Sequence, residues 1–243
     1  MRLHHFLLAF LALVSGPAPA ADWGYAGAHG PDHWSTLSAD NALCGAGAFQ
    51  SPFNIVADLQ ADLPDLAFHY GAVPAEVTNN GHTLVTTAGP ADGVRIGETD
   101  WTLLQLHFHT PSEYLIDGKS YPMELHLVHQ AADGRLAVIG VMIAEGPANP
   151  AIAALWDVAP YDAGVTNGGA ATVALRDLLP SNHSYIRFMG SLTTPPCTEG
   201  VNWHMMITPI TASAEQIAAF RSVFSNNARP VQPRNGRLVV AER

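Results

Sequence analysis

One lysine, Lys119, and two cysteines, Cys44 and Cys197, are all that 243 residues hold of those types. Lysine and arginine together number 11 against 21 acidic residues, a formal net charge of −10. That sign, with no basic run anywhere, argues against nucleic acid and anionic membrane surfaces as partners. Beyond the first twenty residues no stretch is long and apolar enough to span a bilayer, which takes about 20 residues as a helix. Low-complexity tracts, charge runs and linker-like segments are missing too, so the chain reads as one domain. Neither cysteine has a second one at the short spacing of a zinc clip.

The first twenty residues read as a cleaved secretory leader. Arg2 gives the positive start, residues 6–14 an apolar run too short to cross a membrane, and Ala18-Pro19-Ala20 a small-x-small cleavage signal. The domain then runs over 21–243, exported to the periplasm or secreted. An even cysteine count in an oxidising compartment points to a Cys44–Cys197 disulfide, with two separate buried thiols as the alternative.

Eighteen prolines and 21 glycines punctuate short apolar runs rich in Val, Leu, Ile and Thr. Residues 84–87, 101–109, 123–130, 136–143 and 201–207 read as strands. Helical periodicity is scarce: 149–156 and 213–223 are the candidates, the second opening on the cap residue Ser213 with Glu215 in its first turn. The fold class expected is mostly β, a single domain with a large, mainly antiparallel twisted sheet, a few short surface helices and the site in a conical cleft.

His107-Phe108-His109 is the densest chemical signal. Strand side chains alternate faces, so the two histidines point one way while Leu106 and Phe108 point the other. His126 beside Glu124 adds a third imidazole. Asp117-Gly118 between the two runs is a hairpin turn signal, and a ladder centred on it sets 109 opposite 126, a register that Pro111 opposes. Three histidines on one sheet face suit zinc with an open fourth position, the arrangement that makes hydroxide near neutral pH.

In order along the chain come Trp23-Gly24-Tyr25, Gly30-Pro31-Asp32-His33-Trp34, Gln50-Ser51-Pro52-Phe53-Asn54-Ile55, Asn79-Asn80-Gly81-His82-Thr83, residues 105–113 and 124–129, Gly190-Ser191-Leu192-Thr193-Thr194-Pro195-Pro196, and Asn227-Ala228-Arg229-Pro230-Val231-Gln232-Pro233. This series resembles the α-class carbonic anhydrases over the length of the mature chain, and Cys197 directly after the double proline resembles their exported bacterial members.

The resemblance implies reversible hydration of CO2 to bicarbonate and a proton by zinc-bound hydroxide, with a side esterase activity. It implies one Zn2+ per chain on His107, His109 and His126. Gln105 would support His107, and Glu124 would support His126. Thr193, its proton committed to Glu113, would accept from the hydroxide and so orient it. His82 would shuttle the proton, with Tyr25 and Asn80 ordering water beside it. Val128, Val138, Leu192, Val201 and Trp203 match the apolar CO2 wall, and Thr194 sits next to the metal-facing threonine. Family members of this type are often homodimers.

Three positions depart from the pattern: Val85 where a polar residue often lines the cavity, Tyr114 in place of histidine, and Phe188 in place of tyrosine. Two rival readings remain at this point. His107-x-His109-x-x-x-Glu113 also resembles the first cupin metal motif, which puts Glu113 on the metal. A non-catalytic zinc- or ligand-binding module could also keep this fold.

Overall fold

The computed structural model describes residues 23–243. The leader assigned to 1–20 lies outside them. A 13-stranded sheet organises the rest. Its main path runs Thr166–Ala174, Ala72–Asn79, Leu84–Thr87, Thr99–His109, Met123–Ala131, Leu136–Glu145, Glu199–Met206, Tyr185–Ser191, Val240–Glu242 and Leu59–Ala61. Most pairings are antiparallel. Three are parallel: Leu136–Glu145 with Glu199–Met206 and with Ile210–Ala212, and Val240–Glu242 with Leu59–Ala61. The expected class holds: the sheet is mainly antiparallel, with these three parallel pairings in it.

Both faces of the central strands are covered. Leu106 and Phe108 enter the larger core with Leu125, Leu127, Ile139 and Val141. Val128, Val138, Met142 and Trp203 form a smaller core on the other side. Strands buried on both faces read as near-continuous apolar runs, and Met123–Ala131 is buried at every position but Gln130. Helices are short. Pro150–Trp156 is capped by Asn149, whose side chain accepts from the N–H groups of Ala151 and Ile152. Ala214–Val223 carries a reciprocal capping box between Ser213 and Gln216.

One register expectation is corrected. His107, not His109, stands opposite His126, and His109 stands opposite Glu124. Residues 110–122 do not form a tight hairpin. Leu115–Ile116 leaves to pair in parallel with Asn54–Ile55, and the Asp117-Gly118 turn closes that excursion instead. The two-residue offset preserves the period-two parity, so all three histidines still share a face.

Cys44 and Cys197 are joined across 153 residues, and a bond of that kind stabilises by about 2–5 kcal/mol. It ties the segment after Thr193 to the short helix Leu43–Ala46. Buried Arg229 fastens the same region, donating to Gln50 Oε1 and to the carbonyls of Ser51 and Cys44.

Two histidines remote from the triad make acid stability predictable. Burial pulls His129 and His204 down to about 3. Each binds a proton more readily when unfolded, so its contribution is complete above pH 6.5 and is lost as pH falls toward 3. Between pH 6.5 and 5 that amounts to roughly 1.5–2 kcal/mol per histidine. Urea unfolding at the two pH values should show this slope in the wild type and lose it in H129Q/H204Q; an unchanged slope in the double variant refutes the assignment.

Candidate metal centre

Three imidazoles converge on the open side of the sheet. One ring nitrogen from each of His107, His109 and His126 lies within 4.8 Å of the other two. The opposite nitrogens are all occupied. Gln105 Oε1 accepts from His107 Nδ1–H at 2.8 Å, the carbonyl of Asn227 from His109 Nδ1–H at 2.7 Å, and Glu124 Oε1 from His126 Nε2–H at 2.8 Å. Each partner offers only an oxygen, which fixes the tautomers. The lone pairs left facing inward are His107 Nε2, His109 Nε2 and His126 Nδ1.

One of those inward nitrogens, and a carboxylate oxygen beside it, is buried without a protein partner. His109 Nε2 and Glu113 Oε2 are buried without a hydrogen bond, 3.4 Å apart. Native interiors rarely leave such atoms unsatisfied; a divalent cation among the three nitrogens gives His109 Nε2 its partner. The donor set of three neutral imidazoles suits zinc. Burial holds His126 near 3 and His109 near 4, and it lowers His107 as well, so all three are neutral as metal ligation requires.

Burial also pushes Glu113 up to about 7 and Glu124 to about 8. A cation alongside supplies the opposite charge that favours their ionised forms. Glu124 is built in: its Oε2 accepts from the backbone N–H groups of Glu113 and Tyr114 while its Oε1 holds His126. Glu113 Oε1 accepts from the Arg229 N–H at 2.9 Å, and the Thr193 side chain is among the groups that draw its pKa back down.

The cleft above the triad has two walls of opposite character. Trp23, Tyr25, Asn80, His82 and Thr83 line one part, of about 110 Å³, together with Val85. Leu136, Val128, Val138, Leu192 and Trp203 line the other, of about 250 Å³, together with Thr193. Gln105, His107 and Thr194 border both. Val201 is buried in the small core with Val138 and Trp203.

The family model for eukaryotic-type carbonic anhydrases matches residues 29–243. The chain belongs to the carbonic anhydrase family. A carbonic anhydrase of Pectobacterium carotovorum is 43% identical over 237 residues, covering 96% of this chain and 97% of that one. One from Nostoc is 41% identical over 240 residues, covering 96% and 91%. Among solved structures, the α-carbonic anhydrase of Thermovibrio ammonificans, in complex with the inhibitor sulfanilamide, superposes with a TM-score of 0.88 at 40% identity, over 91% of this chain and all of that one. As a carbonic anhydrase the chain is an enzyme, and its reaction is the reversible hydration of CO2. The cupin reading falls with the fold and with the donor set, which takes in His126 and not Glu113.

Two residues of this carbonic anhydrase site carried no role in the sequence reading. Asn227 is buried and its Nδ2 donates to the carbonyls of His82 and Phe108, its Oδ1 accepts from Thr110 N–H, and its carbonyl orients His109. Trp23 stacks on His82 with ring centroids 3.7 Å apart and planes 7° from parallel. Their one signal was membership in motif blocks; nothing in the local pattern says that Asn227 reaches a strand 118 residues away. The departures also find places. Tyr114 and Phe188 pack together and against Phe53 and Trp203 behind His126, and Val85 stands opposite His107 on the neighbouring strand.

Proposed function

We propose that His107 Nε2, His109 Nε2 and His126 Nδ1 hold one zinc ion per chain and that the residues around them carry out CO2 hydration in named roles. The observation that carries this is the convergence of three unprotonated imidazole nitrogens, each oriented by an acceptor on its other side. Zinc held by neutral ligands supplies a nucleophile at neutral pH by lowering the pKa of a water to about 7, an effect for which carbonic anhydrase is the standard example. Gln105, Glu124 and the Asn227 carbonyl keep the three rings in place. Thr193 donates a hydrogen bond from its hydroxyl to Glu113, leaving only lone pairs toward the reacting oxygen, so it accepts a hydrogen bond from that oxygen and orients it.

CO2 has no charge and little hydrogen-bonding capacity, so it lodges against Val128, Val138, Leu192 and Trp203. The proton leaves along the polar wall, past Tyr25 and Asn80 to the His82 imidazole, which Trp23 covers. Stopped-flow hydration before and after zinc removal, with metal counted in parallel, tests the reading. Activity lost with one zinc per chain and restored on adding it back supports it; zinc bound without hydration would favour the non-catalytic module. His82→Ala should slow turnover about ten- to a hundredfold in weak buffer, with rescue by added imidazole. No change and no rescue refutes the shuttle.

The Cys44–Cys197 bond supports a site of action in an oxidising compartment, consistent with the leader read at 1–20 and export to the periplasm. Homodimerisation rests on family likeness alone and is tested by the solution mass.

A further inference from the structure

We infer that the sheet face opposite the histidine triad carries a binding site for a small oxyanion. A cavity of about 140 Å³ lies there, lined by Arg135, Arg187, Trp101, His204, Asn202 and Tyr185 together with Pro64, Ile96 and Thr99. His204 follows Trp203 in its strand, so it points away from the CO2 wall, and it stands directly across from Arg187 in the ladder.

Donors dominate the lining, and among the described residues no carboxylate lines it. This protein has 11 basic residues in all, and two of them share this one hollow. Arg187 makes no salt bridge among the described residues. Arg135 commits only its Nε to Asp133 and lies with its guanidinium 5.2 Å from the Trp101 ring centroid, which holds its remaining N–H groups at the rim. Two lining side chains are more than nine-tenths buried and carry nitrogens without partners: Trp101 Nε1 and His204 Nδ1. Both atoms are closed off from solvent, so the groups open to an oxyanion are the two guanidiniums, whose planar forks match its oxygens. The Trp101 ring, on which Arg135 lies, lines the hollow and reports on its occupancy. The tyrosine hydroxyl is spoken for, since it donates to the Pro64 carbonyl at 2.7 Å. Both bicarbonate, the product of the reaction, and inorganic phosphate have this chemistry.

The test follows the indole ¹H–¹⁵N resonances of the zinc-loaded enzyme while phosphate, and separately bicarbonate, is added at constant ionic strength. There are five tryptophans, and Trp101→Phe identifies the Trp101 signal by its loss. The expected result is a saturable shift of that signal with one or both anions, and an apparent dissociation constant at least tenfold weaker in Arg187→Ala and in Arg135→Ala, two exposed positions whose replacement leaves CO2 hydration unchanged. Saturation by bicarbonate alone marks the site as a product site; saturation by phosphate as well marks it as a general oxyanion site. A Trp101 signal that does not move, that drifts without saturating, or that saturates identically in both arginine variants overturns the inference. The signals of Trp23 and Trp203, beside the histidine triad, report separately on anions bound at the metal.

Discussion

A chain carrying His107→Ala should fold and hydrate CO2 at least about a thousandfold more slowly than the wild type, because two imidazoles no longer hold the zinc that brings the pKa of a water from 15.7 to about 7. His107 is the choice among the three because it is the least buried, so its removal leaves neither a deep cavity nor a stranded carboxylate. Its supporting group, Gln105, is neutral and lines the cleft, where water can satisfy its carbonyl. Stopped-flow hydration with bound zinc counted, and circular dichroism to establish the fold, checks the prediction. A folded variant with more than a tenth of the wild-type rate would refute the ligand assignment.

Glu124→Ala should lower zinc affinity about ten- to a hundredfold and destabilise the protein at the same time. One oxygen of Glu124 fixes His126, and losing such an oriented acceptor typically has that effect on affinity. Its other oxygen accepts from two buried backbone N–H groups, those of Glu113 and Tyr114. Alanine leaves both unsatisfied, at about 1–3 kcal/mol each. Glu124→Gln should fall between, since one amide oxygen can serve His126 or the backbone pair while the NH2 group then faces donors. Zinc competition against a chelator and urea unfolding of all three proteins measure the two effects separately. Loss of zinc affinity with no loss of stability would mean that the Glu113–Tyr114 backbone does not depend on this carboxylate.

The strands that were plain in the sequence are those buried on both faces. Leu136–Glu145 is apolar up to its final glutamate, and Met123–Ala131 sets Glu124, His126 and His129 among buried apolar neighbours, because each strand is sandwiched between the two cores. Of the strands that went unread, the three longest did so for equally physical reasons. Ala72–Asn79 alternates buried and exposed positions well but contains Pro74, which argues against a strand interior and is tolerated beside an edge. Thr166–Ala174 is that edge, exposed almost throughout and carrying Gly168-Gly169; its ladder shifts register between Gly168 and Thr172. Tyr185–Ser191 places Arg187 and Met189 outward among buried neighbours and sits between loops rich in Asn, Ser and Pro. The helix caps at Asn149 and Ser213, by contrast, depend on side-chain oxygens reaching N–H groups two or three residues away, a local matter that sequence records directly.

Within the site, alternation along one strand was enough to put His107 and His109 together and to send Leu106 and Phe108 into the core. Parity survived a register shifted by two residues because a shift by an even number returns every side chain to its own face. The partners two residues away, Gln105 and Glu124, were legible for the same reason. What the amino-acid order could not express is closure in three dimensions. Asn227 and Arg229, far along the chain, orient His109 and hold Glu113 through backbone atoms. The excursion at 110–122 kept the turn at Asp117-Gly118 but took it out of the ladder between the two histidine strands, because Leu115–Ile116 found a parallel partner in Asn54–Ile55. Period, parity, capping and the placing of His107 and His109 on one face thus belong to the sequence, because each is set within a few residues along one element. Register, the division of the cleft into a wet and an apolar wall, and the donor-lined hollow on the opposite face belong to the tertiary structure, because each depends on which distant strands come to lie side by side.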